Sequence, residues 1–106
     1  MYQQLSKMLP EEKIEAITKS LVALNSINGT LGEGKKADYI KDMIKSFPYF
    51  QENPSHVWEQ AIPEDPYGRK NIFAFIEGNG ESLNTVIYHA HLDTVGIEDF
   101  GPLKDI

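Results

Sequence analysis

Two histidines and an aspartate alternate near the end of the sequence, at His89, His91 and Asp93. The four residues at 85–88 are all β-formers, and they predict a buried strand over residues 85–92. Because successive side chains of a strand point in opposite directions, the two imidazoles and the carboxylate would share one face. Neutral imidazole nitrogen and carboxylate oxygen both bind zinc and similar metals, so the pattern predicts a metal site.

The position of this cluster also fits a binding site. In open α/β sheets ligands bind beyond the carboxyl ends of the strands, and Gly96, Glu98 and Asp99 follow the cluster directly. If only one imidazole binds metal, Asp93 can accept the other ring N–H and fix the tautomer. The spacing alone leaves open whether the histidines are ligands or structural residues.

Two helices precede the strands and are expected to support them. Pro10 and the acidic residues after it suit a first helical turn, and an apolar stripe continues the helix over residues 10–25. A second stripe predicts a helix over 33–46, which Pro48 ends. Thr30 and Glu33 have the spacing of a capping box at its start. Both stripes are interpreted as core packing against a sheet, and residues 48–54 as a turn-rich connection.

Two further strands are predicted before the histidines, over residues 57–62 and 71–76. The turn formers Pro63, Asp65, Pro66 and Gly68 lie between them, so we expect an antiparallel hairpin with a long loop. The predicted order is therefore two helices followed by three strands of a mixed sheet.

Composition excludes several classes of protein. The 106 residues suffice for one domain, and the net charge of −6 with no basic stripe argues against a nucleic-acid partner. No apolar run approaches the roughly 18 residues that a membrane span needs. The sequence contains no cysteine, which is compatible with a reducing compartment. We therefore expect a cytoplasmic protein without a membrane partner.

The sequence ends soon after Asp93, at Ile106. Three strands with helices for only one face would leave apolar surface uncovered. We therefore expect residues 1–106 to be the N-terminal part of one larger catalytic domain. In isolation, the 106-residue chain is expected to self-associate through an exposed sheet edge or face.

Three classes of metal hydrolase use a similar histidine motif. Metallo-β-lactamase-like enzymes carry H-x-H-x-D-H, but Thr94 stands here at the place of the last histidine. The barrel amidohydrolases carry H-x-H on a first strand that follows a small β-domain, whereas this sequence has two helices there.

The third class matches along nearly the whole chain. The sequence A-H-L-D-T-V at 90–95 resembles the first metal-binding motif of the di-zinc aminoacylase and carboxypeptidase family, which includes tripeptidase T and succinyl-diaminopimelate desuccinylase. The segments L-V-A-L-N-S-I-N-G at 21–29 and G-R-K-N-I-F-A at 68–74 are similar to earlier motifs of that family, although Asn25 replaces its usual proline. Three segments together most resemble the bacterial arginine-utilisation proteins, namely F-P-Y-F-Q at 47–51, D-P-Y-G-R-K-N-I-F-A at 65–74 and H-A-H-L-D-T-V-G-I-E-D-F-G at 89–101.

The resemblance implies a three-layer α/β fold of the zinc-exopeptidase type. It implies that His91 binds one of two zinc ions and that Asp93, a catalytic residue, orients it. His89 is interpreted as a structural or supporting residue. In that family a metal-bridging water attacks an amide carbonyl, so the implied substrate is a small peptide or N-acyl amino acid. Because the general base and remaining ligands belong to other segments, we expect the 106-residue chain alone to bind zinc weakly and to be inactive.

A non-catalytic binding or assembly module with the same fold is the alternative hypothesis. The remaining polar and aromatic residues have ordinary interpretations. His56 is predicted to pack or lie at the surface, and Arg69 to form a salt bridge or be solvated, with a substrate carboxylate as the other possibility. The aromatic residues Tyr39, Tyr49 and Phe50 are predicted to pack in the core or at a hinge.

Overall fold

The computed structural model describes residues 1–96, in which four α-helices and a 3-10 turn accompany one antiparallel pair of strands. The helices are α1 (Tyr2–Leu5), α2 (Pro10–Val22), α3 (Gly32–Lys45) and α4 (Pro48–Glu52), the 3-10 turn is Pro54–His56, and the strands are β1 (Val57–Ala61) and β2 (Lys70–Ala74). The acidic residues Glu98 and Asp99 lie outside the described residues. None of the helices in this part of the chain is both long and apolar enough to span a bilayer.

The two long helices form where the sequence predicts them, over 10–22 and 32–45. Pro10 occupies the first turn of α2, where its missing N–H costs nothing, and acidic residues follow at the positive end of the helix dipole. No residue of α2 is fully buried. Its Ala16, Ile17 and Ser20 face α1 and α3 across a cavity of about 110 Å³. The connection over residues 48–54, which the sequence predicts to be rich in turns, contains the short helix α4.

The start of α3 differs from the predicted capping box. The N-cap is Leu31, so Thr30 lies one residue too early, and its Oγ1 accepts the N–H of Gly32 at 3.2 Å. Glu33 does not complete the box, since its Oε1 is buried without a hydrogen-bond partner among the described residues. The T-x-x-E spacing was present, but the helix begins one residue later than a capping box requires.

Helix α3 packs on the hairpin of β1 and β2. A Cβ at Gly34 would lie 2.6 Å from the carbonyl oxygen of Gly68, so glycine is needed where the helix meets the hairpin loop. The buried apolar residues of the described chain are Leu5, Ala37, Met43, Phe50 and Val57.

Ion pairs join α3 to the hairpin at the edge of this contact. Lys70 of β2 bonds to Asp38 of α3 and lies 3.3 Å from Glu59 of β1, which also lies 3.5 Å from Lys41 of α3. The hydrogen bond from Lys70 holds the pKa of Glu59 below its usual range, and Asp38 raises the pKa of Lys70. Helix and hairpin are therefore joined by charge as well as by apolar packing.

The predicted hairpin is confirmed, with Val57 opposite Ala74 and Ala61 opposite Lys70. The rings of Trp58 and Phe73 stack across it, with centroids 5.3 Å apart. In the loop, Gly68 has a φ of 67°, a left-handed conformation that glycine adopts at little cost.

The predicted third strand, over residues 85–92, is wrong for the part of the chain that the structure describes. Val86, Ile87 and Tyr88 are 74%, 84% and 93% exposed, and the nearest pairing is a single parallel bridge between Thr94 and Ile27. A β-forming sequence becomes a strand only when a neighbour pairs with it and covers its side chains, and residues 1–96 supply none for 85–92. In place of a three-stranded mixed sheet, residues 1–96 contain a two-stranded antiparallel one.

Candidate functional site

The structure brings His91 and Asp93 together. Nδ1 of His91 lies 3.1 Å from Oδ1 of Asp93 and 3.0 Å from its carbonyl oxygen. A proton on Nδ1 is therefore shared between two acceptors of one residue, which leaves the lone pair of Nε2 available to a ligand. The His91 side chain is 84% exposed and that of Asp93 is 39% exposed, so this nitrogen is open to solvent.

Among residues 1–96, His89 has no comparable partner. It is exposed, and no group of three metal-ligating side chains forms within residues 1–96. The predicted sharing of one strand face by three groups fails because residues 85–92 are not in a sheet. The pairing of His91 with Asp93 does not depend on a strand, since the two residues are close in sequence.

Two backbone hydrogen bonds anchor the residue that follows the pair. The N–H of Thr94 donates to the carbonyl of Ser26 at 3.0 Å, and the N–H of Asn28 donates to the carbonyl of Thr94 at 3.0 Å. The loop between α2 and α3 thus holds the chain directly beyond Asp93.

This loop, residues 25–30, is itself well ordered by local contacts. Thr30 donates its hydroxyl to the carbonyl of Ile27 at 2.7 Å, and Asn25 Oδ1 accepts the N–H of Ile27 at 3.2 Å. Ser26 is fully buried. A Cβ at Gly32 would lie 1.9 Å from the carbonyl oxygen of Asn25, so only glycine lets α3 approach the loop this closely.

The ion pair between Asp65 and Arg69 in the hairpin loop also contacts the loop of residues 25–30. Asp65 Oδ1 accepts hydrogen bonds from Nε and Nη2 of Arg69 at 3.0 and 2.5 Å, and Asp65 Oδ2 accepts the backbone N–H of Arg69 at 2.8 Å. The guanidinium holds the pKa of Asp65 below its ordinary value, and the carboxylate raises the pKa of Arg69. The remaining nitrogen, Nη1, donates to Asn28 Oδ1 at 3.4 Å.

Sequence reasoning proposed a salt bridge for Arg69 but did not identify its partners. Asp65 has a recognisable signal, because D-P-Y-G places aspartate first and glycine fourth in a type I turn, and Gly68 N–H does donate to Asp65 O at 3.4 Å. Asn28 has no such signal, since its contact to Arg69 spans 41 residues.

The other residues that were predicted to pack lie away from the His91–Asp93 pair. The Tyr49 hydroxyl is 3.0 Å from Nδ1 of His56 and accepts the N–H of Glu77 at 2.9 Å. The His56 ring also packs on Phe75, and Phe50 is buried beside Tyr49. The packing roles predicted for these residues agree with their contacts.

Comparison with known proteins gives two relatives, both from Bacillus subtilis strain 168. The chain is 76% identical over 105 residues to Protein RocB, an alignment that covers 99% of this chain and 19% of RocB. It is 33% identical over 94 residues to the uncharacterized protein YqjN, which covers 89% of this chain and 16% of YqjN. No family model and no solved structure matches the chain. The chain therefore spans less than a fifth of the length of these curated relatives.

Proposed function

We propose that this chain supplies the first metal-binding residues of a zinc-dependent hydrolase that cleaves amide bonds in small peptides or N-acyl amino acids. The observation that carries the proposal is the contact between His91 Nδ1 and Asp93 Oδ1, which leaves an exposed imidazole nitrogen. An imidazole oriented by a carboxylate is the usual form of a zinc-bound histidine.

The donor set fits zinc as one part of a larger site. His91 would hold the metal through Nε2, while Asp93 would keep the proton on Nδ1 and raise the basicity of the ring. Zinc sites take three or four protein ligands, so the others would come from segments other than residues 1–96. A zinc ion bound there would supply an activated water and polarise an amide carbonyl. The resemblance to the di-zinc family implies two such ions and a zinc-exopeptidase-like fold.

A place in arginine utilisation is the narrower form of the proposal. It comes from the resemblance of the motifs at 47–51, 65–74 and 89–101 to bacterial arginine-utilisation proteins. The 76% identity to RocB supports it. The substrate would then be a peptide or acylated amino acid related to arginine, and the cytoplasm remains the predicted location.

The test uses the complete protein that contains this chain, with zinc analysis and amide hydrolysis measured on the same samples. We expect bound zinc and hydrolysis in the wild type. Asp93→Asn should lower zinc affinity or kcat/KM by about 10-fold to 100-fold, the usual cost of losing such a carboxylate, and His91→Ala should cost more. His89→Ala is the matched control and should retain both zinc and activity.

Two outcomes would contradict the proposal. A metal-free and inactive complete protein would favour the alternative, a binding or assembly module that keeps the fold. An active protein that tolerates His91→Ala but not His89→Ala would show that His89, and not His91, binds the metal.

A further inference from the structure

Two segments that are distant in sequence meet at the loop of residues 25–30. The first is the backbone of Thr94, which exchanges two hydrogen bonds with Ser26 and Asn28. The second is the side chain of Arg69, which donates to Asn28 Oδ1. Asn28 therefore contacts the hairpin loop with its side chain and the chain beyond Asp93 with its backbone.

We infer that Arg69 is a positioning residue for the His91–Asp93 pair and acts through Asn28. This inference rests on the proposed function, because a position matters only if the pair binds something. Arg69 touches neither His91 nor Asp93 among the contacts described, so its effect would pass through the loop that anchors Thr94.

The guanidinium is held in a fixed orientation. Asp65 takes two of its nitrogens, and the ring of Tyr67 lies under it with its centroid 5.1 Å away. The Asp65 side chain is only 3% exposed, so the pair is tied to the hairpin loop and does not move freely in solvent. Since a planar guanidinium has donors on several sides, Nη1 can reach Asn28 while the other two nitrogens stay on Asp65. A lysine ammonium cannot make this arrangement, because its donors radiate from one atom.

The pair has little else to hold it within residues 1–96. His91 is 84% exposed in its side chain, and the residues at 86–88 are mostly exposed as well. The two hydrogen bonds of Thr94 are therefore the nearest tertiary anchor of the pair. A shift of Asn28 would change the backbone just beyond Asp93, and hence where the imidazole points.

The experiment measures amide hydrogen exchange by NMR in the 106-residue chain. We expect Asn28→Ala to speed exchange of the Thr94 and Asn28 amides by about tenfold, the factor for one hydrogen bond to a charged group. Amides in β1 and β2 should keep their rates. Asn28→Asp should restore slow exchange at both positions, because its carboxylate gives Arg69 a stronger acceptor. Arg69→Lys should behave like Asn28→Ala.

The matched control is Lys19→Ala, which breaks another ion pair at i,i+4 spacing, with Glu15 on the exposed face of α2. It should leave the exchange of Thr94 unchanged. A rise in exchange across all amides of Asn28→Ala would mean that Asn28 only stabilises the fold, and would overturn the inference. Unchanged exchange at Thr94 would overturn it too.

This result can be separated from that of the proposed function. If exchange at Thr94 responds as expected but the complete protein neither binds zinc nor hydrolyses amides, the proposed function fails and the positioning contact stands. If the complete protein is an active zinc enzyme whose Thr94 exchange and zinc affinity are both untouched by Asn28→Ala, the positioning role fails alone.

Discussion

Two regions of this molecule contain β-forming runs of sequence but have different structures. In the α3–hairpin unit, residues 32–74, strand β1 pairs with β2, and α3 covers them. In the segment 83–93, the β-forming side chains at 86–88 face solvent and no ladder forms among the described residues. The comparison shows that pairing and coverage, and not residue preference, decide which β-forming run becomes a strand.

A valine-to-alanine substitution in each region should give the largest difference in the free energy of unfolding. Val57 of β1 is 5% exposed, whereas Val86 is 74% exposed. We expect Val57→Ala to lower the free energy of unfolding by about 2 kcal/mol, because buried methyl groups are lost and a cavity remains. Val86→Ala should change it by less than about 0.5 kcal/mol. Urea denaturation followed by circular dichroism measures both.

Equal losses for the two variants would break the comparison. They would mean that residue 86 is covered in solution and that the segment 83–93 joins the fold. A loss at neither position would show that the α3–hairpin unit is not the core.

The contrast also marks what sequence could predict. Helices α2 and α3 were predictable because their apolar stripes and prolines act locally, and the hairpin because its turn residues lie between two short strands. The contact of His91 with Asp93 was predictable for the same reason, since the two residues are two positions apart in sequence. The strand over 85–92 was not, because its formation depends on neighbours that a propensity pattern does not contain.

Contacts between distant segments were also beyond sequence reasoning. The contact of Arg69 with Asn28 spans 41 residues, and the bridge of Thr94 to Ile27 joins the end of the described chain to the loop between α2 and α3. Each depends on a close approach that only the folded backbone creates, such as that of Gly32 to Asn25. The location of the His91–Asp93 pair was predictable, but the hydrogen bonds that anchor Thr94 beside it were not.

Acid should weaken the α3–hairpin unit through Asp65. Arg69 lowers the pKa of this carboxyl in the folded state, so the ionised form stabilises the fold above the ordinary pKa of about 4. That stabilisation is lost as the pH falls through the lowered folded-state pKa. Asp65→Asn should therefore be less stable at neutral pH and lose less stability on acidification, as urea midpoints at several pH values would measure.

Glu15→Gln is the control for this titration. Lys19 lowers the pKa of Glu15 as well, but both side chains are 65% or more exposed and the pair links only successive turns of α2. Glu15→Gln should change the pH dependence of stability less than Asp65→Asn does, since solvent screens exposed pairs. An Asp65→Asn profile parallel to that of the wild type would show that the Asp65–Arg69 pair does not order the loop.

The segment 83–93 should affect association more than folding. Its exposed residues and the edges of the two-stranded sheet, which no further strand of residues 1–96 covers, predict that the 106-residue chain self-associates. Ile87 is 84% exposed, so Ile87→Lys should change the free energy of unfolding by less than about 0.5 kcal/mol. It should nevertheless shift light scattering towards a monomer, because a charge on the segment opposes edge pairing.

Ile14→Lys separates this effect from a general loss of exposed apolar side chains. Ile14 is 68% exposed on α2, a helix without pairing groups to offer another strand. If association occurs through the segment 83–93, only the change at residue 87 should reduce it. A wild-type chain that is already a monodisperse monomer would contradict the prediction, and equal effects at 14 and 87 would assign association to exposed apolar side chains in general.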